Sequence, residues 1–177
     1  MADEQVKTAT PEDINNRKIR VYLIARISEE AHCWNNEICA QLKHPIEVFI
    51  PQKLNPWKEK HELFQKSVYD LDLHAIKNSH LALMLPEYGR DCAWEAGWYS
   101  NSKKPLVVFI DTQKEWLRDW MVKGGIDYVI TTNQETYKLL RKDHILRHKE
   151  VIFIEGISKL GKAITDIYSK TQGAEND

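Results

Sequence analysis

The strand–helix–strand segment at residues 81–110 reads LALMLPEYGRDCAWEAGWYSNSKKPLVVFI. Its apolar runs at 81–85 and 105–110 have the length and composition of buried strands. Between them, Glu95 lies about one turn inside a helix that begins where the first of these strands ends. In an open α/β sheet this position borders the crevice that holds ligands. Glu95 is therefore a candidate catalytic or sugar-binding residue, and the competing interpretation is a carboxylate that only favours the helix dipole.

Strands alternate with helices along the rest of the chain. Further strands are predicted at 19–25, 46–50 and 128–131, and a shorter strand-like run lies at 151–154. Apolar spacing and cap residues predict helices at 28–42, 58–78, 92–102, 116–125, 132–140 and 157–168. This alternation is typical of a parallel sheet covered on both faces. We therefore expect an α/β, flavodoxin-like, doubly wound domain with a five-stranded, mostly parallel sheet.

Length and composition indicate one globular domain. The 177 residues are 42% hydrophobic and 29% charged, and we place the domain at 18–170. Residues 1–17 are polar and lack apolar periodicity, so we expect a flexible N-terminal tail, and residues 171–177 are expected to form a flexible C-terminal tail. The three cysteines form no CxxC pair, so neither a disulfide framework nor a zinc knuckle is indicated.

Charge and hydropathy argue against several classes of partner. The net charge of −1 provides no basic field for nucleic acid, and no apolar stretch approaches the roughly 18 residues of a membrane span. The first residues, MADEQ, lack the basic start and apolar core of a signal peptide, which favours a cytoplasmic location. His144 and His148 have metal-like spacing without a third ligand nearby, so we expect solvated histidines and no metal site.

A second carboxylate is expected at the level of Glu95. Asp72 precedes the start of the third strand, His80, by eight residues, so on an antiparallel helix it stands roughly 12 Å above the bottom of the sheet. The third strand rises roughly 17 Å, and Glu95 lies roughly 6 Å below its upper end. Asp72 and Glu95 can therefore share a site. The alternative for Asp72 is a solvated helix position among polar neighbours.

Two motifs lie on either side of the third strand. The first, DLHAIKNSH at 72–80, has an acidic residue followed four positions later by an aliphatic one. The second, EAGW at 95–98, follows a glycine-bearing loop and precedes a strand that begins with KKP at 103–105. Together they resemble the nucleoside 2-deoxyribosyltransferase family and its nucleotide N-glycosidase relatives. The resemblance spans 19–131 in element order and is specific across 70–110.

The resemblance implies a role for each of three residues. Glu95 would be the nucleophile that attacks the anomeric carbon of a nucleoside and forms a glycosyl-enzyme ester. Asp72 would hold sugar hydroxyls, and Tyr22, near the end of the first strand, would help to position Glu95. Asp91 is either a helix N-cap, which we favour, or a contact to the leaving base. This chemistry requires no metal and no organic cofactor.

The resemblance also raises the question of a phosphate site, and here the sequence departs from the family. The relatives usually have glycine after the first strand, where this chain has Ala25. Phosphate-binding relatives have a serine and an arginine near that turn and another serine in the second loop. Arg26 and Ser28 supply the two residue types in swapped order, and Gly89 and Arg90 stand in the second loop. These residues are candidate ligands of a 5′-phosphate, and surface arginines are the alternative.

Three tryptophans are expected near the site. Trp57, on the proline-rich loop at 51–57, is a candidate wall for stacking on a base. Trp94 and Trp98 are four positions apart and share a helix face. They either stack on a base, line a subunit contact or pack in the core.

The implied activity is cleavage or transfer at the N-glycosidic bond of a (deoxy)nucleoside or nucleoside 5′-monophosphate, with water or a second base as acceptor. One alternative is a non-catalytic nucleotide-binding or sensing domain, favoured by Ala25 and the altered phosphate positions. Another is a TIR-like NAD glycohydrolase, which also places a glutamate near a tryptophan. The expected partner is a small nucleoside or nucleotide, and the resemblance implies a homodimer or higher homo-oligomer.

Overall fold

Six parallel strands form one sheet in the computed structural model, which describes residues 18–53, 62–86, 88–111 and 119–174. Their order is β2-β1-β3-β4-β5-β6, and every neighbouring pair is parallel. The strands are β1 Ile19–Ile24, β2 Ile46–Phe49, β3 Leu81–Met84, β4 Leu106–Phe109, β5 Tyr128–Thr131 and β6 Glu150–Phe153. The predicted α/β doubly wound fold is confirmed with one correction, because the sheet has six strands rather than five.

The sixth strand is the run that the sequence marks only as strand-like. β6 pairs with β5 over four residues, from Tyr128 opposite Glu150 to Thr131 opposite Phe153. Within β6, Glu150 and Phe153 are exposed and Val151 is buried. The run at 151–154, VIFI, is apolar but only four residues long, and so short a run does not by itself separate a strand from a buried helical segment. Its sequence signal is therefore weak.

Helices cover both faces of the sheet. α1 and α6 pack on one face, through residues such as Ile38 and Ile164. α2, α3 and α5 pack on the other face, through residues such as Ile76, Ala96 and Leu140. The helices are α1 Glu29–Gln41, α2 Glu62–Asn78, α3 Arg90–Ser100, α4 Trp120–Gly125, α5 Gln134–Leu140 and α6 Leu160–Ala174. Within the described residues, none of them combines the length and the apolar character that crossing a membrane requires.

The direction of Tyr22 follows from the alternation of side chains along β1. Val21 and Leu23 belong to the apolar cluster that includes α1 and α6. Tyr22 and Ile24 belong to the cluster on the opposite face, with α2 and α3. Because successive strand residues point to opposite faces, Tyr22 points toward the two helices that carry the candidate carboxylates.

The order of the strands reverses between β1 and β3. From β1 the chain crosses outward to β2, and it then returns to β3 on the other side of β1. β1 and β3 pair from Val21 opposite Leu81 to Ile24 opposite Met84. In doubly wound sheets, ligands bind beyond the carboxyl ends of the strands at such a switch point. We therefore expect a ligand site at the turns that follow Ile24 and Met84.

Several predicted boundaries fall outside the described residues. These are the predicted start of α2 at 58, that of α4 at 116, and the predicted tail at 1–17. At the other end of the chain, α6 continues to Ala174, past the predicted domain end at 170. The Thr171 hydroxyl donates a hydrogen bond of 2.8 Å to the carbonyl of Tyr168 within this last part of the helix.

Leu83 lies in β3, between β1 and β4, and is 0% exposed. We expect Leu83→Ala to lower the free energy of unfolding by about 2–5 kcal/mol, because it leaves a cavity in a core that cannot fully relax. Urea denaturation followed by circular dichroism measures this loss. Leu139→Ala is the matched control, since Leu139 is 47% exposed and its truncation is expected to cost about 0.5 kcal/mol or less. Equal losses for the two variants would contradict the assignment of β3 to the core.

Candidate active site

A cavity of about 410 Å³ lies at the carboxyl ends of β1 and β3. The turn after β1, the middle of α2 and the amino-terminal half of α3 supply most of its walls. Its lining residues are Ala25, Arg26, Ile27, Pro51, Asp72, Gly89, Asp91, Cys92 and Glu95. We call it the carboxylate cavity, after its three acidic residues. It occupies the switch point of the sheet, where the fold predicts a ligand site.

Glu95 is half-buried and held by a hydrogen bond from β1. The hydroxyl of Tyr22 donates to Oε1 of Glu95 at 2.6 Å. Tyr22 is 0% exposed, and its ring stacks on Phe49 with the centroids 5.5 Å apart. A tyrosine confined in this way has little freedom to follow a moving partner. The contact therefore restricts the Glu95 carboxylate to one orientation at the edge of the cavity.

Asp72 reaches the same cavity from α2. Its Oδ1 atom is buried and has no hydrogen-bond partner among the described residues. By contrast Asp70, two positions earlier on the same helix, is exposed and forms an ion pair of 3.1 Å with Lys66. A buried acceptor without a partner costs about 1–3 kcal/mol. Asp72 therefore lines the cavity with a carboxylate that has one buried oxygen left without a donor by the described residues.

Burial raises the pKa of both carboxyl groups. The pKa of Glu95 rises to about 7, first because burial disfavours the charged form and then because Asp72 and Asp91 repel it. The hydrogen bond from Tyr22 acts in the opposite direction, since it stabilises the ionised carboxylate. Burial raises the pKa of Asp72 to about 6. Burial and the neighbouring Glu95 also raise the pKa of Tyr22 far above its ordinary value, so the phenol remains a donor.

Asp91 and Cys92 lie in the first turn of α3, and both line the cavity. The N-cap of α3 is Gly89, where no side chain makes a capping hydrogen bond. The expectation that Asp91 is the cap is therefore wrong: Asp91 lies within the first turn of the helix, and its contact to the leaving base stays a prediction. Cys92 was not identified from the sequence as a site residue. Its position three residues before Glu95 could have indicated it, because residues three apart lie on one helix face. Burial raises the pKa of the Cys92 thiol to about 12.

Of the candidate phosphate ligands, Arg26 and Gly89 line the carboxylate cavity, whereas Ser28 and Arg90 do not. Ser28 caps α1, where its Oγ accepts a hydrogen bond of 3.2 Å from the backbone N–H of Ala31. Arg90 instead lines a neighbouring cavity of about 610 Å³. Gly89 borders both cavities, because α3 begins between them.

The tryptophans do not line the carboxylate cavity where the structure describes them. Trp94 is 52% exposed, and its ring lies 6.4 Å from that of Tyr69 on the outside of α3 and α2. Trp98 packs against the core cluster beneath α3. Trp57 lies outside the described residues. Trp94 therefore belongs to an exposed aromatic pair, and Trp98 to the core packing.

Metal-ligating residues are dispersed. In the stretches of chain that the structure describes, no three His, Cys, Asp or Glu side chains are close enough to hold a metal ion together. His144 and His148 are both exposed. The described cysteines, Cys33, Cys39 and Cys92, are free thiols.

Comparison with known proteins identifies the family. Residues 18–113 match the family described as nucleoside 2-deoxyribosyltransferase like. Since this match covers more than half of the chain, the protein belongs to that family, and the resemblance found in the sequence is confirmed. No curated protein matches the chain.

Two solved structures are similar to this chain at low sequence identity. A 2-deoxyribosyltransferase from the psychrotolerant bacterium Bacillus psychrosaccharolyticus is 19% identical, with a TM-score of 0.50 over 62% of this chain and 84% of that chain. A conserved protein from Enterococcus faecalis V583 is 15% identical, with a TM-score of 0.49 over 86% of this chain and 98% of that chain. The first of these supports the same fold.

Two substitutions are expected to move the titration of Glu95 in opposite directions. Tyr22→Phe raises the pKa of Glu95, because it removes a hydrogen bond that stabilises the ionised form. Asp72→Asn lowers it, because it removes a repelling charge. Carboxyl carbon NMR of protein labelled at glutamate measures the titration, and Glu95→Gln assigns the signal. Asp70→Asn, an exposed change on the same helix, leaves the midpoint unchanged; shifts of the same sign in the two site variants would refute this electrostatic account.

The raised pKa of Glu95 also predicts how stability varies with pH. Between its ordinary value of 4.5 and about 7, the folded protein keeps a proton that the unfolded chain has released. This contribution to stability is complete below pH 4.5 and is lost as the pH rises through about 7. Glu95→Gln removes the effect, so the variant gains on the order of 2 kcal/mol relative to the wild type between pH 5 and pH 8. Urea denaturation at both pH values measures this gain, and the exposed Glu37→Gln, expected to parallel the wild type, is the control.

Proposed function

We propose that this protein cleaves the N-glycosidic bond of a nucleoside, with Glu95 as the nucleophile. The observation that carries the proposal is a half-buried glutamate, held at 2.6 Å by Tyr22, in the same cavity as the unpartnered oxygen of Asp72. Membership of the nucleoside 2-deoxyribosyltransferase-like family supports it. The fold shared with a 2-deoxyribosyltransferase agrees with a glycosyl-transfer role.

The proposed reaction has two displacements at one carbon. In the first, a carboxylate oxygen of Glu95 forms a bond to the anomeric carbon while the bond from that carbon to the base nitrogen breaks. The electron pair of the broken bond leaves with the base, which takes up a proton from solvent. In the second, water or another base attacks the same carbon and gives up a proton to solvent, while the ester bond to Glu95 breaks and its electron pair returns to the carboxylate. Both steps build positive charge on the sugar, which the neighbouring carboxylates stabilise.

Glu95 must be ionised to act as a nucleophile. Its pKa of about 7 means that ionisation is half complete near neutral pH. The Tyr22 hydrogen bond and the amino-terminal position on α3 both favour the charged form. Tyr22 keeps its own proton in this range because its pKa is raised. The rate of base release is therefore proposed to rise with pH through about 7.

Asp72 is proposed to bind sugar hydroxyls. Its buried Oδ1 lacks a donor within the described residues, and a hydroxyl of the bound sugar supplies one. A hydrogen bond to a charged acceptor is worth about 1.5–3 kcal/mol. Such a bond orients the ring, and it leaves the anomeric carbon facing Glu95.

The charges of the cavity favour a substrate without a 5′-phosphate. Among the described residues, Asp72, Asp91 and Glu95 line it beside one cation, Arg26. Ser28 is engaged as the cap of α1, and Arg90 lines the neighbouring cavity. A phosphate dianion among three carboxyl groups is repelled unless several donors compensate for it. We therefore propose nucleosides and deoxynucleosides as substrates ahead of their 5′-monophosphates.

Base release from a substrate panel tests the proposal. Purified protein is incubated with nucleosides, deoxynucleosides, their 5′-monophosphates and NAD, each with and without a second base, and free base is followed by chromatography. We expect release from at least one nucleoside and a loss of about 10³-fold or more in Glu95→Ala. Asp72→Asn lowers kcat/KM about 10- to 100-fold. Glu37→Ala, an exposed glutamate on α1, keeps the wild-type rate.

The pattern of products separates the alternatives. Exchange only in the presence of a second base identifies a transferase, and release into water identifies a hydrolase. Release from NAD alone would replace the proposal with an NAD glycohydrolase. Ligand binding without release, in the wild type and in Glu95→Ala alike, would replace it with a non-catalytic nucleotide-binding domain.

A further inference from the structure

α2 and α3, which carry Asp72 and Glu95, are linked to each other about one helical turn from each of these two residues. Ile76 follows Asp72 on α2 by four residues, and Tyr99 follows Glu95 on α3 by four residues. Residues four apart lie on one helix face, about one turn from each other. Any contact between Tyr99 and the backbone near Ile76 therefore constrains the separation of Asp72 and Glu95.

Tyr99 and Ser79 form the first link. Ser79 Oγ donates to the carbonyl of Ile76 at 2.8 Å, and its oxygen lies 2.5 Å from the hydroxyl of Tyr99. Either hydroxyl can donate in this second contact, and the Tyr99 hydroxyl also lies 3.5 Å from the carbonyl of Ile76, to which it can donate. Both residues are buried, with Tyr99 0% exposed. A chain of hydrogen bonds thus runs from α3 to the carboxyl end of α2.

Lys104 forms the second link. Its ammonium donates to the carbonyl of Lys77 at 2.6 Å and to that of Ile76 at 3.2 Å. These are among the last carbonyls of α2, which have no partner within the helix, and a cation favours this end of the helix dipole. The same ammonium lies 5.5 Å from the centre of the Trp98 ring on α3. Lys104 therefore contacts both helices.

The ring of Tyr99 extends these links to the hydrogen bond that holds Glu95. It lies 6.2 Å from the ring of Tyr22, whose hydroxyl donates to Glu95. Tyr99 thus restrains Glu95 in two ways, through the backbone of α3 and through Tyr22. We call the side chains of Ser79, Tyr99 and Lys104 the helix clamp.

We propose that the helix clamp sets the position of Asp72 relative to Glu95, so that Ser79, Tyr99 and Lys104 are positioning residues for the reaction. This inference rests on the proposed function of the two carboxylates. None of the three clamp residues lines the carboxylate cavity, so they act through the helices. A displacement of about 1 Å at a reacting group costs about 100-fold in rate, which makes the reaction sensitive to small shifts of α2 against α3.

The test uses two clamp variants and matched controls. Tyr99→Phe removes the hydroxyl and keeps the ring, and Lys104→Met removes the ammonium and keeps most of the side-chain length. Lys103→Met is the control for charge in the same segment, since Lys103 is exposed. Ile167→Val is the control for a loss of stability, since Ile167 packs on the opposite face of the sheet. Lys104→Arg is the conservative variant.

Two readouts are taken for each variant: kcat/KM for base release and the NMR titration midpoint of Glu95. We expect both clamp variants to lose about 10-fold or more in kcat/KM, while Lys103→Met and Ile167→Val stay within about twofold and Lys104→Arg recovers most of the loss. We also expect the midpoint of Glu95 to move to lower pH in the clamp variants alone, because Asp72 and its repelling charge move away.

Each outcome either supports or overturns the proposed role of the helix clamp. A midpoint shifted to lower pH with reduced kcat/KM supports the clamp, and a shift to higher pH or a wild-type kcat/KM overturns its role in positioning the two carboxylates for the reaction. An unchanged midpoint overturns it, whether or not kcat/KM falls, because a purely structural loss does not alter the spacing of the carboxyl groups. If the wild type releases no base from any substrate, the proposed function fails, and the midpoint alone then supports or overturns the clamp.

Discussion

The hydrogen bond between Tyr22 and Glu95 joins β1 to α3 at the edge of the carboxylate cavity. It requires Tyr22 to face α3, which follows from side-chain alternation along a strand buried on both faces. It also requires α3 to begin directly after β3, beside β1, which follows from the strand order. This one contact therefore depends on the sheet topology, on the alternation of side chains along β1 and on the placement of α3.

The carboxylate cavity brings together acidic side chains whose mutual repulsion opposes this arrangement. Two half-buried carboxyl groups with raised pKa values, Glu95 and Asp72, line one cavity together with Asp91. Repulsion and lost hydration make such an arrangement destabilising. Conflicts of this kind are expected at functional sites, where the surrounding fold compensates for the local cost. Here the compensation comes from the continuous apolar strands on either side of the switch point.

Part of the site was predictable from helix and strand geometry. Asp72 and Glu95 were placed at one level by counting residues, because rise per residue is nearly constant in regular elements. Tyr22 was predicted as a site residue only from the family resemblance, and in the structure its hydroxyl donates a hydrogen bond to Glu95. Counting residues did not predict the position of Arg90. It lines the neighbouring cavity, whereas the next residue, Asp91, lines the carboxylate cavity, because successive helix residues point about 100° apart around the axis.

The sequence by itself determined the alternation of strands and helices, the apolar strands and the motifs around Asp72 and Glu95, since these depend on local periodicity and residue type. The tertiary structure alone decided that Glu150–Phe153 joins the sheet as a sixth strand, that Gly89 rather than Asp91 caps α3, and that Lys104 reaches the carbonyls of α2. The physical reason is the same in each case. Edge pairing, cap geometry and long-range contacts depend on which backbone groups lie within hydrogen-bond distance, and only the folded chain brings those groups together.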